Sequence, residues 1–440
     1  MRGGCTRSMS ACWAMPRRPG WFQRGLLVVA LLCSLAFAAP ALAALRIGVV
    51  TMQPGEIFFE RFGHNAILVH EPATGEATSY NFGFFDPTAD DFIARFVAGE
   101  MRYRLLALPF EQDMRSYRQS GRGVSVQWLD LDEADARQLA AALAENARPE
   151  NAYYRYDYFL DNCSTRVRDA LDEALGGGLR RQLEGRSRGS TFRSEAVRLA
   201  SPAPWMWLAF DIGLGPSADR PLSFWGESYV PMRLASALGE VVNQQGRPLV
   251  ADEVQLLPHR IAPEPADAPR RNLPWWLAGL AIGAALVWLG NFRPRALAAI
   301  ALPFWFASGL IGALMLFIWL GTEHRFGWAN QNLWLLNPLA WLLLPGGWRV
   351  LRGRAPGRWF WIVLATTLAL AVVGLFAYWL QALPQRNAHW IALLLPLHAG
   401  LMLGFCARNR ALARAGHGGQ DAVDERTTQS ATVRDQLRRV

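Results

Sequence analysis

Two side chains in this sequence have the types and setting for nucleophilic chemistry, Cys163 and His64. Cys163 lies in the run Asp161-Asn162-Cys163-Ser164-Thr165-Arg166, among polar neighbours. Apolar residues then recur at Val167, Ala170, Leu171, Ala174 and Leu175, which is the spacing of one helix face. That places Cys163 in the first turn of a helix, where free N–H groups and the helix dipole favour a thiolate over a thiol. A thiolate nucleophile needs a base, and His64, after Phe62-Gly63, is the candidate. His64 opens a strand (64–70), a turn cluster follows (71–76), and a return strand (78–82) carries Asn81. With the turn centred near Ala73 and Thr74, strand alternation brings His64 and Asn81 onto one face. Asn81 would then fix the imidazole tautomer, while N–H groups at the helix start hold an oxyanion. Tyr80, on the opposite face, competes for the third place, and His70 is displaced six residues along the strand. The alternative for Cys163 is a buried structural cysteine, for His64 a structural strand histidine, and for Asn81 a turn or edge residue. This chemistry calls for no metal and no cofactor.

The compartment sharpens the case for Cys163. Residues 1–43 have the form of a secretory signal: Arg17, Arg18 and Arg24, an apolar run over 25–38, and Pro40-Ala41-Leu42-Ala43 before the cleavage point. Residues 1–14 read as upstream read-through, since Met15 begins a tighter signal of the same kind. Of the five cysteines, Cys5, Cys12 and Cys33 belong to this leader, and Cys406 ends an apolar segment. Cys163 is therefore the lone cysteine of an exported, oxidising setting, where an idle thiol is a hazard.

The elements that must hold these residues form an α+β domain with a small, mainly antiparallel sheet over 44–257. Strands are expected at 45–51, 103–108 and 124–129 besides the hairpin, and helices at 90–97, 131–146 and after Cys163. Residues 176–189, rich in Gly and Arg, are expected to be mobile. The aromatic stretches 204–210 and 223–234 suit either a core or a surface dipping into lipid. A proline-rich linker (258–273) leads to an α-helical membrane domain over 274–407. Its five apolar spans are 274–292, 296–320, 333–348, 359–380 and 388–407, the third interrupted by Pro338 and Pro345. Thirteen of the 19 tryptophans lie beyond residue 274, as an aromatic belt requires. Arginines cluster after spans one, three and five, so those loops and the polar, disordered tail (408–440) face the cytoplasm, and the 44–257 domain faces the periplasm. The net charge of +9 reflects these arginines rather than a nucleic-acid surface. The loop 321–332 then lies on the same side as Cys163. His324 and Arg325 could cap the site or meet a lipid phosphate, as could Arg166 and Arg168; an ordinary polar loop and solvated arginines are the plain alternative.

The order, His64 first and Cys163 later at a helix start, resembles a permuted papain-like thiol fold of the lecithin:retinol acyltransferase type. A resemblance covering most of the chain lies in Phe62-Gly63-His64-Asn65-Ala66, Tyr80-Asn81-Phe82-Gly83, Asp161-Asn162-Cys163-Ser164-Thr165-Arg166, the segment 215–231 with Asp219, Glu323-His324, and Asn330-x-Asn332-Leu333. These look like the Lnb family, membrane proteins with a periplasmic Cys/His domain and a C-terminal transmembrane domain, named for lipoprotein N-acylation. The resemblance implies a bacterial inner-membrane enzyme. It would move a fatty acyl chain from a membrane phospholipid, through a Cys163 thioester, to the N-terminal cysteine of a lipoprotein. Asn162, Arg166, His324, Arg325 and Asn330 would contact substrate. The same site would serve a membrane-anchored cysteine peptidase or amidase, and a non-enzymatic sensor or scaffold is the third reading.

Overall fold

A computed structural model describes residues 44–267 and 271–407. The expected signal peptide and cytoplasmic tail lie outside the described residues. The first half is built on a seven-stranded antiparallel sheet: β1 Arg46–Met52, β2 His64–Glu71, β3 Glu76–Phe84, β4 Arg102–Pro109, β5 Val124–Leu129, β6 Tyr153–Arg155 and β7 Val250–Leu257, in the order β6-β4-β3-β2-β1-β5-β7. The helices are α1 Phe92–Ala98, α2 Phe110–Ser120, α3 Glu133–Asn146, α4 Cys163–Ala174, α5 Gly178–Leu183, α6 Phe192–Ala200, α7 Pro204–Gly213 and α8 Pro231–Leu238.

The central strands are apolar on both sides because both sheet faces are covered. On one face Val50, Met52, Ala66, Leu68, Val124 and Val126 pack against Met114 of α2. On the other, Val49, Ile67, Tyr80 and Leu105 pack against Leu139 of α3 and against Val167 and Leu171 of α4. Each such buried aliphatic contributes roughly 1.5–3 kcal/mol. The β2–β3 hairpin pairs Glu71 with Glu76 and Ile67 with Tyr80, the register that a turn centred between Ala73 and Thr74 requires. Gly75 closes that turn at φ +77°, a conformation that costs glycine little.

One local expectation needs correction, and two further segments take a form the sequence left open. Residues 176–189 are not a mobile loop throughout, since α5 buries Leu179 and Leu183 completely. β7 was not legible because it is an exposed edge strand whose Asp252 and Glu253 break any apolar alternation. α7 is neither wholly core nor wholly surface: Met206 is buried while Trp205 stands exposed.

The second half is helical: α9 Leu273–Phe292, α10 Pro294–Gly321, α11 Leu344–Leu351, α12 Arg358–Leu380 and α13 Ala388–Ala407. Among the described residues, four helices (α9, α10, α12 and α13) are long and apolar enough to cross a membrane. Small residues let α9 and α13 touch backbone to backbone; a Cβ at Gly290 would come within 2.1 Å of the Gly404 carbonyl. The third expected span is not a long helix. Two 3-10 segments, Gln331–Trp334 and Pro338–Leu343, precede the short α11. Pro338 is the first residue of the second 3-10 segment and Pro345 the second residue of α11, positions where the missing proline N–H is tolerated. At its start this segment meets the turn between α12 and α13, Gln331 N–H bonding Gln385 Oε1 at 2.8 Å, and at its end the Gly353 turn packs on Arg295.

Polar clamps lock the two halves together. Asn330 Nδ2 donates to the carbonyls of Ile212, Gly213 and Leu214 at 2.7, 2.9 and 3.1 Å, and Asn332 Nδ2 donates to Ile212 O at 2.9 Å. Asn330 Oδ1 accepts from Asn332 N and Gln385 Nε2. Asn330 is thus a buried C-terminal cap for α7, and its expected role in binding substrate is corrected: no polar atom of its side chain is left over. Alongside, Arg193 pairs with Asp219 and donates to the carbonyls of Asp211, Leu214 and Gly215, while Asp219 accepts from Arg386 N. Both side chains are almost wholly buried. Arg193→Met therefore takes the charged partner from a buried carboxylate and one donor from each of three carbonyls, leaving Asp219 with Arg386 N and Leu214 O with Asn330 Nδ2. We expect a loss of about 3–5 kcal/mol, read as a fall in the thermal midpoint of the detergent-solubilised protein, with Arg193→Met/Asp219→Asn regaining part of it.

Candidate active site

Cys163 is the first residue of α4, and the helix start is built to present it. Asn162 is the N-cap: its Oδ1 accepts from Ser164 N and Thr165 N, both at 2.9 Å, while Thr165 Oγ1 accepts from Asn162 N at 2.7 Å, a capping box. Asn162 Nδ2 donates to the Tyr158 and Tyr229 carbonyls. Every polar side-chain atom of Asn162 is therefore committed to holding the start of the Cys163 helix, while the residue also lines the cavity into which Cys163 opens. Arg166 N–H bonds Asn162 O, so of the first four N–H groups of α4 only that of Cys163 is left over by the cap. Ser164 Oγ ties the helix start to Asn65 Oδ1 (2.8 Å) and Ser228 O (2.7 Å).

β2 brings His64 to the thiol. His64 Nε2 lies 3.0 Å from Asn81 Oδ1, which leaves Nδ1 for the hydrogen bond to Cys163. The ladder register sets Asn81 diagonally from His64 on the same face, and Tyr80 on the other face, buried in the core. Asn81 Nδ2 donates to Asp113 Oδ2 at 3.0 Å, and Ser79 Oγ donates to the same oxygen at 2.6 Å. A chain thus runs from Cys163 through His64 and Asn81 to the buried carboxylate of Asp113. Asp113 was not found from sequence; it sits one turn into α2, a helix that carried no recognised pattern. His70 lies at the far end of β2, opposite Arg46, and takes no part.

The electrostatics favour an ion pair. Burial alone raises the Cys163 thiol, but the His64 charge, their hydrogen bond and the N–H groups of Asn65 and Ser164 together hold it below its ordinary value. Burial likewise lowers His64, and the Cys163 charge and hydrogen bond, with Asn81 and Asp113 behind, bring it above its ordinary value. The two shifts run in the direction that favours a thiolate–imidazolium pair. Gly83, at φ +92°, passes beside the nucleophile; a Cβ there would sit 3.6 Å from that of Cys163.

Cys163 and His64 open into one cavity of about 930 Å³, the upper end of the range for ligand sites. Phe62, Phe96, Tyr158, Phe159 and Phe210 line it from the first half, and Ile318, His324 and Phe326 from the second. His324 is fixed there, bonded to Phe96 O at 2.9 Å and stacked on Tyr158. Arg325 also lines the cavity, exposed and 3.6 Å from Glu323. Arg166 does not: it pairs with Asp161 and lies over the Tyr154 ring, so its expected contact with substrate is corrected. Arg168 is held over Trp225 and bonded to its carbonyl. Phe59 and Trp205 line the cavity and are exposed, and the loop that follows α10 joins the end of α1 through Glu323 N–H bonding Ala98 O. Among the described residues no group of three or more His, Cys, Asp or Glu side chains is placed to hold a metal ion.

Comparison with known proteins gives two matches. The profile of the Lnb N-terminal periplasmic domain matches residues 37–195, and that of the Lnb transmembrane domain matches residues 273–409. No curated protein and no solved structure matches the chain.

Proposed function

The chain belongs to the Lnb family, and from that premise we propose that it is a thiol acyltransferase working at a membrane surface. The observation that carries this reading is the position of the Cys163–His64 pair: it opens into an aromatic cavity walled partly by Ile318 of a membrane-length helix. A soluble substrate needs no such wall, whereas a lipid acyl chain can reach the thiolate along it.

The reaction follows from the geometry. The Cys163 thiolate attacks the carbonyl carbon of a phospholipid ester. The oxyanion is held by the Cys163 N–H, which the cap leaves over. The ester C–O bond breaks, and the His64 imidazolium gives its proton to the departing glycerol oxygen, leaving a Cys163 thioester. An amine, that of a lipoprotein's N-terminal cysteine, then attacks the thioester. His64 takes the amine proton, an amide forms, and the thiolate leaves. Asn81 holds the imidazole in the required tautomer, and Asp113 behind it stabilises the positive charge.

The same reading sets the topology. The segment from Gln331 to Leu351 meets the α12–α13 turn at one end and Arg295 at the other. It makes a fifth, broken crossing besides the four long helices. Non-helical backbone at that depth is tolerable because neighbouring helices enclose it. The catalytic half then faces the periplasm across the bacterial inner membrane, with the arginine-rich loops in the cytoplasm.

Intact-protein mass spectrometry of the wild type with labelled phospholipid tests the reading. Cys163 is expected to gain the mass of one acyl chain, and a peptide with N-terminal cysteine is expected to remove it as an amide. Peptide cleavage without any lipid adduct would overturn the transferase in favour of a cysteine peptidase.

A further inference from the structure

Arg122 is a dry cation at the cavity wall. Only 4% of the residue is exposed. Its Nε donates to Gln53 O at 2.9 Å, its Nη1 lies 3.4 Å from Glu60, and its guanidinium lies over the Tyr117 ring at 5.0 Å. Its Nη2 is buried with no partner among the described residues. Arg122 lines the same cavity as Cys163, His64 and Asp113. An N–H of a buried guanidinium is costly to leave unmade, and a charged oxygen acceptor is its strongest partner. The other arginines of the cavity are unlike it: Arg155 and Arg325 are both exposed and share Glu323.

The position indicates which part of a substrate would reach it. Arg122 leads into β5, whose Val124 pairs with Met52, which in turn pairs with His64. Tyr117 and Asp113 lie on α2, on the sheet face away from α4. Arg122 is therefore reached from Cys163 past His64 and Asn81. The aromatic wall of Tyr158, Phe159, Phe210 and Phe326 belongs to the α4–α7 side and to the loop after α10. An ester carbonyl at the thiolate, with its acyl chain along the aromatic wall, has its alcohol portion on the Arg122 side.

We infer that Arg122 is a substrate-binding residue that takes the phosphodiester of the acyl donor, through its unpartnered Nη2, on the leaving-group side of Cys163. This rests on the transferase reading above. It makes the enzyme selective for phospholipid over a neutral diacylglycerol with the same ester and chains.

The test uses the full chain in detergent micelles and reads the rate of Cys163 acylation by intact mass. Phosphatidylglycerol, diacylglycerol of matched chains, and a p-nitrophenyl ester of the same fatty acid are the donors. The wild type is expected to prefer phosphatidylglycerol to diacylglycerol. That preference is expected to fall about 10- to 100-fold in Arg122→Gln and to recover in part in Arg122→Lys, which keeps the charge. A preference is a ratio on one preparation, so partial misfolding of a variant cancels from it. An unchanged preference in Arg122→Gln would overturn the assignment. A wild type that takes the p-nitrophenyl ester but no phospholipid would overturn the donor reading itself, and this assignment with it.

Discussion

Cys163→Ala is expected to abolish acyl transfer, a drop of about a millionfold, because removing a covalent nucleophile costs the full advantage of the unit it belongs to. Nothing nearby can replace it: Cys406 is the other free cysteine among the described residues, and it lies at the end of α13. Cys163→Ser is expected to fall nearly as far, since the ion pair that His64 sustains with a thiol is out of reach for a hydroxyl of far higher pKa. Neither variant should unfold. The cap, the Ser164 ties and the buried face of α4 all persist. The measurement is the initial rate of amide formation, alongside the adduct mass. A Cys163→Ala protein with measurable turnover would remove the thioester from the mechanism.

His64→Ala is expected to lower transfer by about 10²–10⁴-fold and to move the pH at which Cys163 reacts with an alkylating agent. In the wild type the thiol titrates below its ordinary value and the imidazole above its own. Alkylation is therefore expected to begin at lower pH than for an ordinary thiol of pKa about 8.5. Without His64 the burial that raises the thiol acts against fewer opposing groups, so the alkylation profile must shift to higher pH. Transfer itself needs both ions of the pair. It is expected to fall at low pH as the thiolate is protonated, and at high pH as the imidazolium loses its proton. The linkage has the matching sign. A His64 raised in the folded state lends stability that is full below its unfolded value and is lost as pH rises through the folded one. An alkylation profile unmoved by His64→Ala would separate the two residues.

The sequence carried the reacting pair because each member sits where a local rule applies. Cys163 is marked by an Asn cap and a helical apolar stripe, His64 by a strand start, and Asn81 by a hairpin whose turn chemistry sets the register. What it did not carry is set by contacts between distant segments. Asp113 reaches Asn81 across 32 residues, from a predominantly polar helix that buries only Asp113 and Met114, so its carboxylate reads as a solvated one in sequence. Arg122 gains its meaning only from the cavity around it. The polar residues of the recognisable motifs are ambiguous for a related reason. Asn162 and Asn330 stand beside the chemistry in sequence, yet both satisfy buried backbone groups, and an amide that caps a helix looks the same in a sequence as one that binds a ligand. The third span is not one long helix for a stated cause: Pro338 and Pro345 each sit in the first turn of a separate element, where hydropathy alone would run a single helix through.

The carbonyls at the end of α7 have a consequence for the order of synthesis. A ribosome delivers the sheet, α4 and α7 first, before α10 and the loop carrying Asn330 exist. Until that loop arrives, the Ile212, Gly213 and Leu214 carbonyls lack their Asn330 donor, and the cavity lacks the wall that Ile318 and Phe326 supply. The reactive pair can already be in place on its helix and strand, but the chamber that would feed it is unfinished. Under the proposed function, activity would be withheld from the nascent protein until its membrane half has been inserted, and the thiol would meet a lipid only where the bilayer is already at hand.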